Sequence, residues 1–296
     1  MSSSTFNSDR YLVIVLVGGL LVLAFILFGL ELFLRNQASG SAGDQQYRER
    51  FLHGTAPWVA FGDSHVEGGL LSVAWLDNLG KASDNLETIS DKVSLRLQRG
   101  GLQGVILPAD PQIFSFYRLS AKQENRIDAL RSDPSVSLFI LNPSYRQYLE
   151  MIFWTLVQKP IHFFVGENER TEQDKEADSW NRTIAIRVQL HTPVPNIFDL
   201  DAADQYRKMV QVLKSHGLAV CLVRYPVSHD YLLATQKLDG FENAQNFFKA
   251  VSSNLNVHFV DLSEILPNEI FDDPDHVPPS ARGEVTAFVK ERCDIQ

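Results

Sequence analysis

The chain has 296 residues, 45% of them hydrophobic and 21% charged, with a formal net charge of -9 and a pI of about 5.4. That is globular composition, with enough chain for one substantial core or two small ones. No Lys/Arg-rich block is present, so nucleic acid is not an expected partner. The two cysteines, Cys221 and Cys293, show neither metal-ligand spacing nor a disulfide framework. A bridge between them would require an extracytoplasmic domain, and we do not expect one. Cys221 reads as a core strand residue.

The first element is apolar and uncharged from Tyr11 to Leu30. At 1.5 Å per residue, about 20 such residues span a hydrocarbon core of about 30 Å. Cleaved signal peptides have a shorter apolar region, of about 7–15 residues. Small residues from Ala38 to Gly43 offer a cleavage site, but the length favours an uncleaved anchor over residues 1–34. Arg10 precedes the span, whereas Arg35, Arg48 and Arg50 follow it, so the positive-inside count leans slightly toward an internal C-terminus. Residues 35–55, with the polar stretch Asn36 to Gln46, read as a linker.

From Ala56 onward, short apolar runs alternate with helical patterns. Val59–Phe61 and Leu76–Leu79 are strand candidates. Asp84, with Glu87 three residues on, predicts an N-cap for a helix whose stripe is Leu86, Ile89, Val93 and Leu97. Gly104–Leu107 is a third strand. Ser120 and Gln123 form a capping box for another helix. Residues 201–217 carry an apolar face of Ala203, Tyr206, Val210 and Leu213 and stop at Gly217. Leu218–Tyr225 is a continuous apolar run of buried-strand type. A helical segment to about Val251, a fifth strand at Val257–Leu262 and a last helix at Glu284–Arg292 complete the order. The alternation implies an α/β domain over residues 56–296, with a five-stranded, mostly parallel sheet flanked by helices.

Open sheets of this kind bind ligands outside the carboxyl ends of their strands. Ser64 follows the first strand in Gly62-Asp63-Ser64-His65, and the helix after it would aim N–H groups at an anion. Ser64 is thus either the N-cap of that helix or a presented nucleophile. A nucleophilic serine needs a base. His276 follows the fifth strand, with Asp273 three residues before it, and a turn there would bring carboxylate to imidazole. Asp272 and Asp275 are alternative acids.

These two stretches, Gly62 to His65 and Asp273 to His276, resemble the first and last sequence blocks of the SGNH (GDSL) hydrolase superfamily. The resemblance covers roughly Ala56 to the C-terminus. It implies Ser64 as nucleophile, His276 as base and Asp273 as its orienting acid, with the N–H groups of Ser64 and Gly80 as the oxyanion hole. It implies no cofactor and no metal. The sequence departs from the family at Ala109, where an oxyanion-hole Asn is usual, with Gln112 one substitute donor. It departs again at Ala281, where a glycine often stands. An anchor followed by one such domain is similar to family members that modify envelope polysaccharides and face the periplasm. The resemblance therefore implies an inner-membrane, single-pass protein with an extracytoplasmic domain. That domain would hydrolyse or transfer acyl groups, acetyl by preference, on a polysaccharide or small acyl ester. A membrane-bound acyltransferase is a further expected partner. The rival reading is a catalytically silent scaffold that binds a glycan or a membrane acyl-transport partner.

Four further features have their own readings. His65 reads as a rim or turn residue. The acidic stretch around His276 lacks a convincing second ligand set for a metal. An insertion over about residues 137–185, with Tyr145, Phe153, Trp154, Phe163 and Phe164, reads either as a cap over the sheet or as a surface for a membrane or membrane partner. The acidic run Gly166 to Asp178 reads as a solvated loop.

Overall fold

In the computed structural model the N-terminal apolar run is helical throughout. The model describes residues 8–38, 42–120, 172–236 and 238–296. Helix α1, Ser8–Ala38, contains a stretch from Val13 to Leu32 that is long and apolar enough to cross a membrane. The expected linker is instead largely helical. Helix α2, Ala42–His53, occupies most of it, because Gln, Arg, Glu and Leu all sustain a helix. The chain divides into two compact units, Met1–Arg48 with Asp128–Val165 and Glu49–Ile127 with Gly166–Gln296. The described part of the first is α1 and the start of α2. Everything below concerns the second.

Five strands form that unit's sheet: β1 (Trp58–Ala60), β2 (Leu76–Asn78), β3 (Gly104–Pro108), β4 (Ala219–Arg224) and β5 (His258–Asp261). Their order is β2-β1-β3-β4-β5, and every pairing is parallel. The three inner strands are the near-continuous apolar runs of the sequence, as burial on both faces demands. β5 lies at the edge, and of its residues only Val260 is buried. Chain order reverses direction between β1 and β3, so the carboxyl ends of these strands flank the crevice where such sheets take ligands. Ser64 follows β1 and Asp110 follows β3.

The connecting helices are α3 (Ser64–Gly69), α4 (Leu86–Arg99), α5 (Phe116–Leu119), α6 (Glu172–His191), α7 (Asp201–Ser215), α8 (His229–Thr235), α9 (Asp239–Leu255) and α10 (Arg282–Arg292). Trp58, Ala60, Ile106 and Val223 face one layer, where they pack with Val66 of α3 and Val285 and Val289 of α10. Burying each such aliphatic side chain stabilises by about 1.5–3 kcal/mol. On the other side, α7 lies against β4, with Phe114, Tyr206, Phe247 and Phe248 clustered at centroid distances of 5.1–6.4 Å, edge to face except for the stacked Phe114–Phe248 pair. This aromatic cluster fixes the turn Pro111–Phe114 and hence the start of the loop that carries Asp110.

Several local expectations are corrected. The cap of α4 is Asn85, whose Oδ1 accepts the Thr88 N–H at 2.9 Å, and not Asp84. Asp84 is buried one residue earlier, where it pairs with Lys92. Ser120 is the C-cap of α5, and the helix expected to follow it, with Gln123, lies outside the described residues. The acidic run is helical from Glu172 onward, because its Glu, Gln, Lys and Ala residues are strong helix formers. The aromatic part of the insertion, Tyr145 to Phe164, lies outside the described residues.

Cys221 and Cys293 form a disulfide, contrary to expectation, with Cα atoms 5.8 Å apart. The cause is tertiary. Cys221 points from β4 into the layer covered by α10, and Cys293 caps the end of that helix in the same buried cluster. The bridge closes a sequence separation of 72 residues.

Candidate active site

Ser64 opens α3 directly behind β1 and is half-buried. The helix cap is Asp63, not Ser64: its Oδ1 accepts the His65 N–H at 3.0 Å. The other carboxylate oxygen of Asp63 takes the Arg118 guanidinium at 2.8 Å. Burial alone would push the Asp63 carboxyl up, yet the positive charges of His65 and Arg118 and the His65 N–H hold it below the usual carboxylate value. The Ser64 hydroxyl is therefore left free of capping duty.

His276 stands in the loop after β5. Its Nε2 lies 2.9 Å from Ser64 Oγ, and its Nδ1 lies 3.1 Å from Asp273 Oδ1. Asp275 Oδ1 is farther from Nδ1, at 3.6 Å. The carboxylate draws the ring proton to Nδ1 and leaves the Nε2 lone pair to accept from the serine O–H. Burial pulls the His276 pKa down, but Asp273 and Asp275 outweigh it and raise it above the ordinary histidine value; His65 opposes them. The sequence brought these three residues to one rim, and they lie in one hydrogen-bonded line. Side-chain exposures of 25% for His276 and 38% for Asp273 leave the line open to a substrate.

The Gly80 N–H, the expected oxyanion donor, donates to Asn78 Oδ1 at 3.0 Å. A Cβ at Gly80 would come within 2.6 Å of the Glu67 nitrogen, so the missing side chain lets the loop after β2 lie against α3. Asn78 completes the join by donating from Nδ2 to the carbonyls of Val66 and Leu70, each at 2.8 Å. The Leu70 carbonyl lies at the helix end, where such groups lack an intrahelical donor, and the Val66 carbonyl also accepts the Leu70 N–H at 3.3 Å. Ala109 is buried, and its N–H donates to Val223 O at 2.7 Å. Gln112 is also buried, and among the described residues its Nε2 has no hydrogen-bond partner.

Behind the line sits a set of buried charges that sequence reading missed. His65 is no rim residue: its side chain is 2% exposed. Its Nε2 is 3.4 Å from Asp275 Oδ2, and its Nδ1 is 3.5 Å from Asp110 Oδ2. Asp110 also accepts the Tyr225 N–H at 2.9 Å. Arg187 of α6 reaches both acids of the loop, with Nη2 3.1 Å from Asp273 Oδ2 and Nε 3.2 Å from Asp275 Oδ1. His191, one turn further on, shares a hydrogen bond with the Tyr231 hydroxyl at 3.0 Å and lies 3.6 Å from Asp275. Burial drives the His191 pKa down to about 4, against the pull of Asp275. Burial would raise the Asp275 carboxyl, but the His276, His65 and Asp273 hydrogen bonds hold it far below the usual range. Asp275 carried a faint signal as the neighbour of His276. Arg187 carried none, because its helix begins far from either block in sequence.

Among the described residues, His65, His191 and Asp275 bring ligand-type atoms within 4.8 Å of one another, as do Asp273, Asp275 and His276. Asp275 belongs to both sets and is already paired with Arg187, so a cation at either would sit against a guanidinium.

No family model matches the chain, and no curated protein matches it. Among solved structures it is similar to a Bacteroides fragilis protein described as an acylhydrolase, at 11% identity over 84% of this chain and 95% of that one, with a TM-score of 0.45. It is also similar to a GDSL-like lipase from Bacteroides thetaiotaomicron, at 10% identity over 80% of this chain and 87% of that one, TM-score 0.41. An acetylxylan esterase from Geobacillus stearothermophilus, a catalytic mutant, matches at 10% identity over 81% of this chain and 94% of that one, TM-score 0.39. Identities this low and TM-scores below 0.5 carry no functional information about the chain.

Proposed function

We propose that the chain is an SGNH (GDSL)-type serine esterase or O-acyltransferase, anchored by α1, with Ser64, His276 and Asp273 as its catalytic triad. The observation that carries this reading is the unbroken line from Ser64 Oγ through His276 to Asp273, at 2.9 and 3.1 Å. In this mechanism Ser64 Oγ attacks the ester carbonyl carbon while His276 Nε2 takes its proton. The tetrahedral oxyanion forms beside the first N–H groups of α3, with the Ser64 N–H as its donor. His276 then protonates the departing alcohol oxygen, which leaves an acyl-Ser64 ester. A second hydroxyl, of water or of a sugar, gives its proton to His276 and attacks the acyl carbon, and Ser64 recovers its proton. Asp273 holds the tautomer and stabilises the imidazolium.

The substrate we favour is an acetylated envelope polysaccharide or a small acyl ester, with a membrane-bound acyltransferase as the partner that handles the acyl group. We place the domain outside the cytoplasm, on the inner membrane. The Cys221–Cys293 bridge supports this, since such bridges persist in oxidising compartments.

One observation favours a second reading, a silent scaffold for a glycan or an acyl-transport partner. The Gly80 N–H is engaged by Asn78, and Ala109 stands where a donor side chain would, so fewer donors face the oxyanion. Losing one such donor costs about 10²–10³ in rate. The full-length protein in detergent, given a chromogenic acetyl ester and a serine-reactive phosphonate, separates the two. The enzyme reading expects turnover and a phosphonate adduct on Ser64. A folded protein with neither is a scaffold.

A further inference from the structure

The residues next to the two catalytic ones also pair with each other. Ser64 meets His276, and the adjoining residues, His65 and Asp275, meet across the same gap at 3.4 Å. Two dipeptides, Ser64-His65 on α3 and Asp275-His276 on the loop after β5, are thus joined twice. The second join is the buried one, with His65 2% and Asp275 0% exposed at their side chains.

His65 has carboxylates at both ring nitrogens, Asp275 at Nε2 and Asp110 at Nδ1. A neutral imidazole presents one N–H and one lone pair. In that form a lone pair would face a buried carboxylate, with both partners desolvated and repelling. An imidazolium hydrogen-bonds Asp275 through Nε2–H and sets its positive charge 3.5 Å from Asp110, at ion-pair distance without hydrogen-bond alignment. Asp63, on the same helix, adds a third negative charge and is itself paired with Arg118. The positive or titratable groups facing His65 from other elements are His191 of α6 and His276 of the loop, with ring centroids 6.1 and 5.1 Å away.

We propose that His65 is a positioning residue: as an imidazolium between Asp110 and Asp275 it clasps the helix that carries Ser64 to the loop that carries His276, and its charge tunes His276 as a base. This rests on the esterase reading above only in its second half. Burial opposes the charged form of His65, but the facing Asp110 and Asp275 carboxylates outweigh burial and raise its pKa well above the ordinary value. The same charge, one ring away, lowers the proton affinity that Asp273 and Asp275 confer on His276.

The test has two arms. In the first, the full-length protein is labelled with 15N-histidine, and the imidazole signals are assigned with the His65→Gln variant. The expected result is two protonated nitrogens on His65 at pH 7 and above. A neutral tautomer of His65 at pH 7 overturns the proposal, whatever the protein's activity. In the second, the His276 titration is followed by the same spectra and by the acid limb of kcat/KM. Removing a like charge at this distance should move the His276 pKa up by about one unit in His65→Gln. A rate that falls with the limb unmoved makes His65 merely structural and overturns the tuning. If wild-type protein turns over no ester, the function fails, yet the spectra still decide the clasp. Stoichiometric zinc retained by the purified protein, and lost in both His65→Gln and His191→Gln, would overturn it in favour of a metal site.

Discussion

His276 and His65 lie ring against ring, 5.1 Å apart at their centroids, and both face aspartates. They nevertheless do opposite things with a proton. His276 is a quarter exposed, and its second nitrogen meets a hydroxyl. A lone pair on Nε2 suits that arrangement, and the proposed role as a base requires it. His65 is sealed in, and its second nitrogen meets another carboxylate. That arrangement needs a proton at each nitrogen, so the ring works as a fixed cation. The partner at the second nitrogen, more than the distance to the first aspartate, decides which kind of histidine the fold has made.

The largest expected effect falls on the exposed line. Ser64→Ala should lower ester turnover by about 10⁴-fold or more, and His276→Ala by about as much. The double variant should lose little further, because residues that act as one unit are strongly non-additive. Since Asp63 is the cap, Ser64→Ala should cost only about 1 kcal/mol of stability, the worth of one hydrogen bond. Turnover assays beside thermal unfolding check this. Full activity in folded Ser64→Ala protein would end the triad reading.

The buried side should respond the other way, in stability first. Asp63→Ala removes the cap of α3 and leaves the Arg118 guanidinium buried without its carboxylate. Breaking such a pair from one side costs about 3–5 kcal/mol. Asp63→Asn keeps an acceptor for the His65 N–H and should cost less. Denaturant midpoints of the two variants would rank them. Equal, small losses would mean that Arg118 finds water and that this side is less sealed than described. Replacing Cys221 and Cys293 together by serine should cost about 2–5 kcal/mol, the usual range for a long closed loop. Unchanged unfolding with and without reductant would show that the bridge contributes nothing in solution.

The same contrast explains what could be read ahead of the fold. Ser64, Asp273 and His276 were legible because Ser64 stands just past β1 and the other two lie in the loop after β5, and strand ends of a parallel sheet share one rim. All five strands and their alternation with helices followed from apolar runs of the right length. The buried set was not legible, since its members meet only after the sheet has formed. Arg187 lies 86 residues from Asp273, and Asp110 lies 45 residues from His65. Asn78 looked like the end of a strand, and its contacts with the carbonyls of α3 depend on the close approach that Gly80 permits. The disulfide failed for the same reason: two cysteines with no spacing pattern say nothing until α10 is laid on β4.

The smallest effect separates the two histidines by pH. His276 must be neutral to accept the serine proton, and its folded pKa lies above 6.5. The acid limb of kcat/KM should therefore lie above pH 6.5, with turnover falling about tenfold per unit below it. Stability runs against activity at this residue. A histidine raised on folding contributes stability fully below its unfolded pKa, and that contribution fades as pH rises through the folded one. His65 has the same sign in a window well above 6.5. His191 has the opposite origin: lowered to about 4, it loses its contribution as pH falls from about 6.5 toward 4. As pH falls toward 6.5, then, protonation of His276 should lower ester turnover while His276 gains stability and His191 has hardly begun to lose it. Turnover should drop with no fall in the unfolding midpoint, and it should return in full when the pH is restored. A midpoint that falls together with turnover over that interval would mean that the limb reports unfolding, and His276 would lose its place as the titrating base.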